Sequence, residues 1–266
     1  QHYEETIKSS KEYVLVNRDA KEHIKGIPSE SIDLFFTDPP YGIEINKVAM
    51  TLGGATAGGT TTTGIKYEDS WEYAKAVLEV IIPESYRITK TSAHAYMFCG
   101  RDRFVFQWVH DEMVKAGWLV LPWPLIWIKR TTGQNNQPER WPSSAYEAIL
   151  FARKPNSSII IQGRPDWIQC DPVNRSEKLH PAEKPIALCK ELISRVAMPG
   201  YRMYDPCMGS GALVKAAVDM KLLALGCETD VKAYANALSR FVETKQENTN
   251  ETNEDEAGRR EEAVSA

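Results

Sequence analysis

Apolar and polar positions alternate along this chain in two distinct rhythms. Tyr13-Val14-Leu15-Val16-Asn17 and Ile32-Asp33-Leu34-Phe35-Phe36-Thr37 are short runs of β-branched and aromatic residues that end in polar ones, as buried parallel strands do. Asp19 to Lys25 between them predicts a short helix. From Trp71 to Ile88 the apolar residues Trp71, Ala74, Val77, Leu78 and Ile81 fall at helical spacing, with Pro83 expected to kink or end the first part. Ala93 to Cys99 reads as another buried strand stopped by Gly100, followed by a helix from Arg103 to Lys115 closed by Gly117.

Trp118 to Ile128 and Ala145 to Ala152 are apolar segments on either side of polar residues 129–144, which suits an antiparallel pair joined by a long excursion. Beyond them, Lys184 to Met198, Ala212 to Lys221 and Val231 to Thr244 read as helices. Arg202 to Tyr204 and Leu222 to Cys227 read as strands. Strand and helix therefore alternate, which predicts a doubly wound α/β sheet. Two stretches fall outside this pattern. Residues 46–66, rich in Gly, Thr and Ala, bury too little to hold one shape and are expected to form a mobile loop; residues 245–266 are expected to be a disordered acidic tail.

Composition narrows the picture. A hydrophobic fraction of 42% and a charged fraction of 26% are those of an ordinary globular protein, with no apolar run long enough to span a membrane. The five cysteines lack the close pairing of a zinc site, so no metal is expected and free thiols in the cytoplasm are. The net charge of −4 counts against binding nucleic acid through bulk electrostatics, although residues 1–244 without the tail are close to neutral. The chain begins at Gln1, which leaves open an N-terminal partner segment.

Candidate chemistry begins with Asp38-Pro39-Pro40-Tyr41, directly after a predicted strand and so at the carboxyl edge where open α/β sheets place ligands. Two consecutive prolines stiffen the backbone and remove two N–H donors, leaving a surface of acceptors. An exocyclic amine on a nucleobase has two N–H donors, and its lone pair is delocalised into the ring until acceptors hold both hydrogens. The Asp38 carboxylate and the Pro39 carbonyl can form that pair, while Tyr41 offers a flat ring for a base taken out of its stack. The bland alternative is a proline turn with Asp38 as a cap.

A second constellation is Asp205-Pro206-Cys207-Met208-Gly209-Ser210-Gly211, between a predicted strand and a helix. Gly209 and Gly211 allow close backbone approach, and the helix N-terminus offers unpaired N–H groups. The next strand ends in Glu228, where a carboxylate can meet two ribose hydroxyls. The loop lacks a phosphate-binding lysine, so a nucleoside with an amino-acid tail suits it better than a pyrophosphate.

Taken together, these residues resemble the beta group of DNA amino-methyltransferases, in which Asp-Pro-Pro-Tyr precedes the glycine-rich cofactor loop in the chain. Asn17-Arg18-Asp19, the strand region from Tyr146 to Lys154, His180-Pro181-Ala182-Glu183-Lys184-Pro185 and Asp205 to Gly211 match in the same order, from about Tyr13 to about Phe241. The resemblance implies a Rossmann-like class I methyltransferase sheet, mostly parallel with an antiparallel strand pair and a circularly permuted motif order. It implies S-adenosyl-L-methionine as cofactor, bound by Asp19, Asp38, Lys184, Asp205, Cys207, Gly209, Gly211 and Glu228, with Lys184 near its methionine end. Cys207 stands where the family commonly has phenylalanine.

The implied substrate is adenine N6 in double-stranded DNA, with the target base flipped; Asp rather than Ser before Pro-Pro-Tyr favours it. Cytosine N4, RNA, or a non-catalytic binding module are the alternatives. No cysteine is expected to attack a pyrimidine ring. Residues 129–144 and 155–179 are the candidate recognition loops, with Arg130, Asn135, Asn136 and Arg140 for base edges and Lys154, Arg164 and Arg175 for phosphates. Oligomeric state stays open, a homodimer included.

Overall fold

The computed structural model describes residues 6–42, 70–100, 102–130, 137–174, 176–180 and 182–241. The expected mobile loop at 46–66, the tail at 245–266, and Asn135, Asn136 and Arg175 lie outside the described residues.

The strands are β1 (Thr6–Ser9), β2 (Tyr13–Asn17), β3 (Ile32–Thr37), β4 (Thr89–Gly100), β5 (Leu119–Val120), β6 (Leu125–Ile128), β7 (Tyr146–Arg153), β8 (Trp167–Gln169), β9 (Arg202–Asp205) and β10 (Leu223–Glu228). They form one sheet in the order β1-β2-β10-β9-β3-β4-β7-β6-β8, with β5 also on β7. The centre, from β2 to β4, is parallel throughout. Antiparallel pairings lie at the flanks: β1 on β2, and β7 with β4, β5 and β6. The expected pair is β6 with β7, Leu125 opposite Ile149 and Ile128 opposite Tyr146.

The helices are α1 (Ala20–His23), α2 (Trp71–Ile88), α3 (Arg103–Ala116), α4 (Ile186–Val196) and α5 (Ala212–Asp219), followed by helical residues 231–241, here α6. All six positions of β3 are buried because helices cover both faces. Leu34 and Phe36 point to the face where Leu188, Leu192, Leu213 and Val214 of α4 and α5 pack. Phe35 points to the other, against Leu78 and Ile81 of α2, with Val109 and Met113 of α3 in the same core.

Two expectations are corrected. Pro83 neither ends nor divides α2, which runs unbroken from Trp71 to Ile88. Pro83 lies on the exposed side, while Ile81, Ile82, Ser85 and Ile88 anchor the buried side. The apolar segment from Trp118 to Ile128 divides into β5 and β6 around Pro122 and Pro124, which lack ladder donors. The C-terminus of α3 is as expected: Gly117 adopts φ 106° and its N–H bonds to the Met113 and Val114 carbonyls.

One adjacency positions the site. β3 and β9 are hydrogen-bonded neighbours, Phe35 opposite Tyr204. The chain leaves β9 through α5 toward β10 and leaves β3 through α2 toward β4, so the order reverses between them. The loops after these two strands diverge and leave a crevice.

Candidate active site

Asp38 follows β3 directly, and a lysine from the far side of the chain meets it. Lys184 Nζ donates to Asp38 Oδ2 at 2.6 Å, and the Tyr41 hydroxyl donates to Asp38 Oδ1. Lys184 is buried, 4% exposed, with its ammonium 4.8 Å from the Phe98 ring centre. Its other neighbours are the Ala182 carbonyl at 3.3 Å and Glu147 Oε2 at 3.5 Å. Glu147 in turn accepts from Lys129, just beyond β6. Burial pushes the Asp38 carboxyl above the ordinary carboxylate range, opposed by Lys184 and Tyr41 and reinforced by Glu147. Burial would lower the Lys184 ammonium, but the Asp38 and Glu147 carboxylates outweigh it and hold it high.

The residue after the tetrapeptide matters as well. Gly42 has φ 69°, and a Cβ there would stand 2.6 Å from the Trp71 Cα. The turn can therefore close against α2 only with glycine.

The second loop is built at the end of β9. Asp205 is fully buried, and its Oδ1 accepts from the Cys207 N–H at 3.1 Å. The Gly211 N–H bonds to the Met208 carbonyl at 2.7 Å, and Gly211, with φ 77°, opens α5 without any side-chain cap. A Cβ on Gly211 would come to 3.1 Å from Ala237 Cβ of α6. Glu228 ends β10: its Oε2 accepts from the Gly209 N–H at 2.9 Å and its Oε1 from the Asp230 N–H at 2.7 Å. Burial, the largest influence, raises Glu228 and carries Asp205 up to about 8.

A network that the sequence reading missed ties the two halves together. Glu183, buried beside Lys184, accepts from the Leu179 and His180 N–H groups and from Ser210 Oγ at 3.1 Å, and pairs with Arg240 of α6. Arg240 Nε also donates to the Ser210 carbonyl at 2.6 Å. The signal was a glutamate inside the His180-to-Pro185 motif, where only the histidine and lysine drew attention. Burial, aided by Lys184, pushes His180 down to about 4, so its ring is neutral at neutral pH.

These pieces enclose a cavity of about 300 Å³. Its walls include Asp38 and Pro40, Lys184 and His180, Cys207 to Ser210, and Asp19 and Glu228. Of the residues expected around a cofactor, Asp19, Asp38, Lys184, Cys207, Gly209 and Glu228 line it. Asp205 and Gly211 shape the loop from behind. Asp19 also caps α1, accepting from the Lys21 N–H at 2.7 Å. Lys184 is spoken for by two carboxylates and a carbonyl. Cys207 follows Pro206, and burial together with the Asp205 and Glu228 carboxylates raises its thiol well above the ordinary range.

The residues expected to touch nucleic acid divide by edge. Arg130 and Arg140 are exposed in the segment joining β6 to β7, on the same sheet edge as Asp38; their guanidinium nitrogens lie 3.1 Å from Asp171 and 3.7 Å from Glu139. Lys154 is a correction. It is 5% exposed, follows the end of β7 at the opposite edge, donates to the Tyr86 and Thr89 carbonyls at 2.7 and 3.2 Å, and stands 3.5 Å over the Tyr86 ring. It is a buried cap for the end of α2. Arg164 precedes β8, which runs parallel to β3 through β6, so it too lies toward the far edge, 3.9 Å from Glu191.

A family model described as DNA methylase matches residues 32–239. The chain belongs to this DNA methylase family. Among curated relatives, the methylase is 24% identical over 251 residues to the type II methyltransferase M.HinfI of Haemophilus influenzae, covering 87% of this chain and 68% of that one. Among solved structures, it is similar to the M1.HpyAVI–SAM complex, with a TM-score of 0.64, 20% identity and coverage of 85% and 98%. It is also similar to the PvuII DNA methyltransferase, titled cytosine-N4-specific, with a TM-score of 0.66, 16% identity and coverage of 88% and 87%.

The cofactor of the methylase is S-adenosyl-L-methionine, and the residues present fit it. Glu228 holds backbone N–H groups of the loop and of the turn after β10, and its carboxylate keeps lone-pair capacity for a ribose hydroxyl. Gly209 leaves space below the neutral His180 ring, a Cβ there coming no closer than 3.7 Å. The remaining walls, Val77, Cys207, Met208 and Leu213, are apolar enough to receive a nucleoside ring.

Proposed function

We propose that this methylase modifies adenine N6 in double-stranded DNA, acting on a base flipped out of the helix. The observation that carries the reading is Asp38: a carboxylate at the carboxyl end of β3, on the wall of the same cavity that Glu228 lines. S-adenosyl-L-methionine supplies, when bound, an electrophilic methyl group. The work of the chain is to present the amine. Asp38 and the Pro39 carbonyl accept its two N–H bonds, which returns the nitrogen lone pair from the ring. Lys184 holds Asp38 ionised against the cost of burial, and Tyr41, hydrogen-bonded to the same carboxylate, holds the base by its ring.

After transfer the extra proton on nitrogen passes to Asp38 or to solvent. No covalent bond to the protein forms, so positioning and electrostatics carry the rate. Arg130 and Arg140, with the exposed rings of Trp141 and Tyr146 on the same edge, are the described groups suited to DNA. Asn135, Asn136 and Arg175 complete the proposed contact set.

The test is incorporation of labelled methyl into DNA, with the modified nucleoside identified by mass spectrometry after digestion. Wild type is expected to yield N6-methyldeoxyadenosine, and Asp38→Ala to lose at least about a hundredfold in rate. Transfer by Asp38→Ala at the original rate removes the mechanism. N4-methyldeoxycytidine as the product removes the base assignment, and label entering RNA alone removes the choice of DNA.

A further inference from the structure

Two carboxylates share the Lys184 ammonium, and only one of them faces the cavity. Asp38 Oδ2 is 2.6 Å from Lys184 Nζ, and Glu147 Oε2, buried and without any hydrogen-bond partner, is 3.5 Å from it. The other oxygen of Glu147 holds Lys129. The charges therefore alternate in a line, Lys129, Glu147, Lys184, Asp38, with every side chain in it at most 21% exposed. Four different parts of the chain supply them: the residue after β6, the second residue of β7, the loop after β3 and the loop before α4. Glu147 is not among the residues that line the cavity.

We infer that Glu147 is a positioning residue for the methyl-transfer reaction: it shares the positive charge of Lys184, so that Asp38 keeps its strength as an acceptor for the amine. The inference rests on the reading of Asp38 given above. A buried ammonium with one carboxylate partner would be drawn wholly onto Asp38 and would weaken that carboxylate as an acceptor. A second carboxylate behind the ammonium pulls it back and adds negative potential at Asp38. Lys129 limits this pull by partly neutralising Glu147.

The other titratable groups facing the line are Tyr41, Cys99 at the end of β4, Lys178 and His180 before α4, Cys189 on α4, and Asp205 on β9. Burial holds the two thiols and the imidazole neutral at neutral pH. The sign of the remaining effect is thus set by Glu147 and Lys129, which act on Asp38 in opposite directions.

The experiment is a carboxyl ¹³C titration of Asp38 in the full chain, its resonance assigned by loss in Asp38→Asn, alongside the pH profile of kcat. In Glu147→Gln the Asp38 midpoint and the acid limb of kcat move to lower pH, kcat at the plateau falls about tenfold, and KM for S-adenosyl-L-methionine is unchanged. In Lys129→Met the midpoint moves to higher pH, and Glu147→Asp restores the wild-type limb in part. A merely structural role would move both variants in the same direction or neither, and either result overturns the inference. If Glu147→Gln does not fold, Lys129→Met decides alone: an unmoved or lowered midpoint overturns it. A wild-type chain that methylates no DNA removes the proposed function, whereas the titration still reads the charge line directly.

Discussion

Single residues in this methylase carry more than one duty, and their surroundings decide which is visible in the sequence. Asp205 sits in the cofactor-loop motif, yet its role is to shape the turn from behind, fully buried with one oxygen on the Cys207 N–H. Burial raises its carboxyl from an ordinary value near 3.8 to about 8. The folded chain therefore holds a proton that the unfolded chain releases between these values. The corresponding stability is fully present below about pH 3.8 and is lost as pH rises through about 8. Asp205→Asn is expected to flatten the pH dependence of the thermal midpoint over this interval, most visibly as a gain near pH 8. An unchanged slope would show that Asp205 ionises freely. Lys154 teaches the converse: a lysine after a strand reads as surface charge, and only the Tyr86 and Thr89 carbonyls and the Tyr86 ring, brought in by folding, show a buried cap. No local pattern encodes that, because the partners lie 65 and 68 residues away.

At the scale of elements, periodicity was most informative where burial is complete. β2 and β3 fall on the residues their apolar runs mark, Tyr13–Asn17 and Ile32–Thr37, since central parallel strands are apolar on both faces. It was least informative at edges: β1 and β8 gave no signal, being four and three residues long and held by neighbours rather than by their own pattern. Pro83 within α2 shows tertiary packing overriding a local breaker. The turn from β3 into the site depends on Gly42. Gly42→Ala places a Cβ 2.6 Å from the Trp71 Cα at φ 69°, so it should cost about 1–3 kcal/mol in stability and displace Tyr41 from Asp38. Denaturant unfolding together with methyl-transfer rate checks both halves; a stable, fully active variant would show that the turn relaxes without consequence.

At the scale of the whole molecule, the site exists because β3 and β9 are neighbours, which brings residues 38–42 beside residues 206–211 and both beside Glu228. Ligand binding should therefore report on the assembled sheet. S-adenosyl-L-methionine at about 100 times its Kd should stabilise the methylase by about 2.7 kcal/mol. Glu228→Gln, which keeps an acceptor but loses the charge, should weaken binding by about 1.5–3 kcal/mol and so leave about 1.3 kcal/mol of that gain or less at the same concentration. Scanning calorimetry with and without cofactor measures this, and an undiminished gain would place the ribose elsewhere. Among the described residues no helix is long and apolar enough to cross a membrane. What the sequence by itself determined was the alternation of strand and helix, the two loops at strand ends, and the order of motifs that marks the family, because each is written in contiguous residues. What only the tertiary structure decided was the line of charges from Lys129 to Asp38, the clamp of Glu183 and Arg240 on the cofactor loop, and which basic residues share an edge with Asp38. Those depend on strand order and direction, which bring together residues 18 to 146 positions apart that no local periodicity connects.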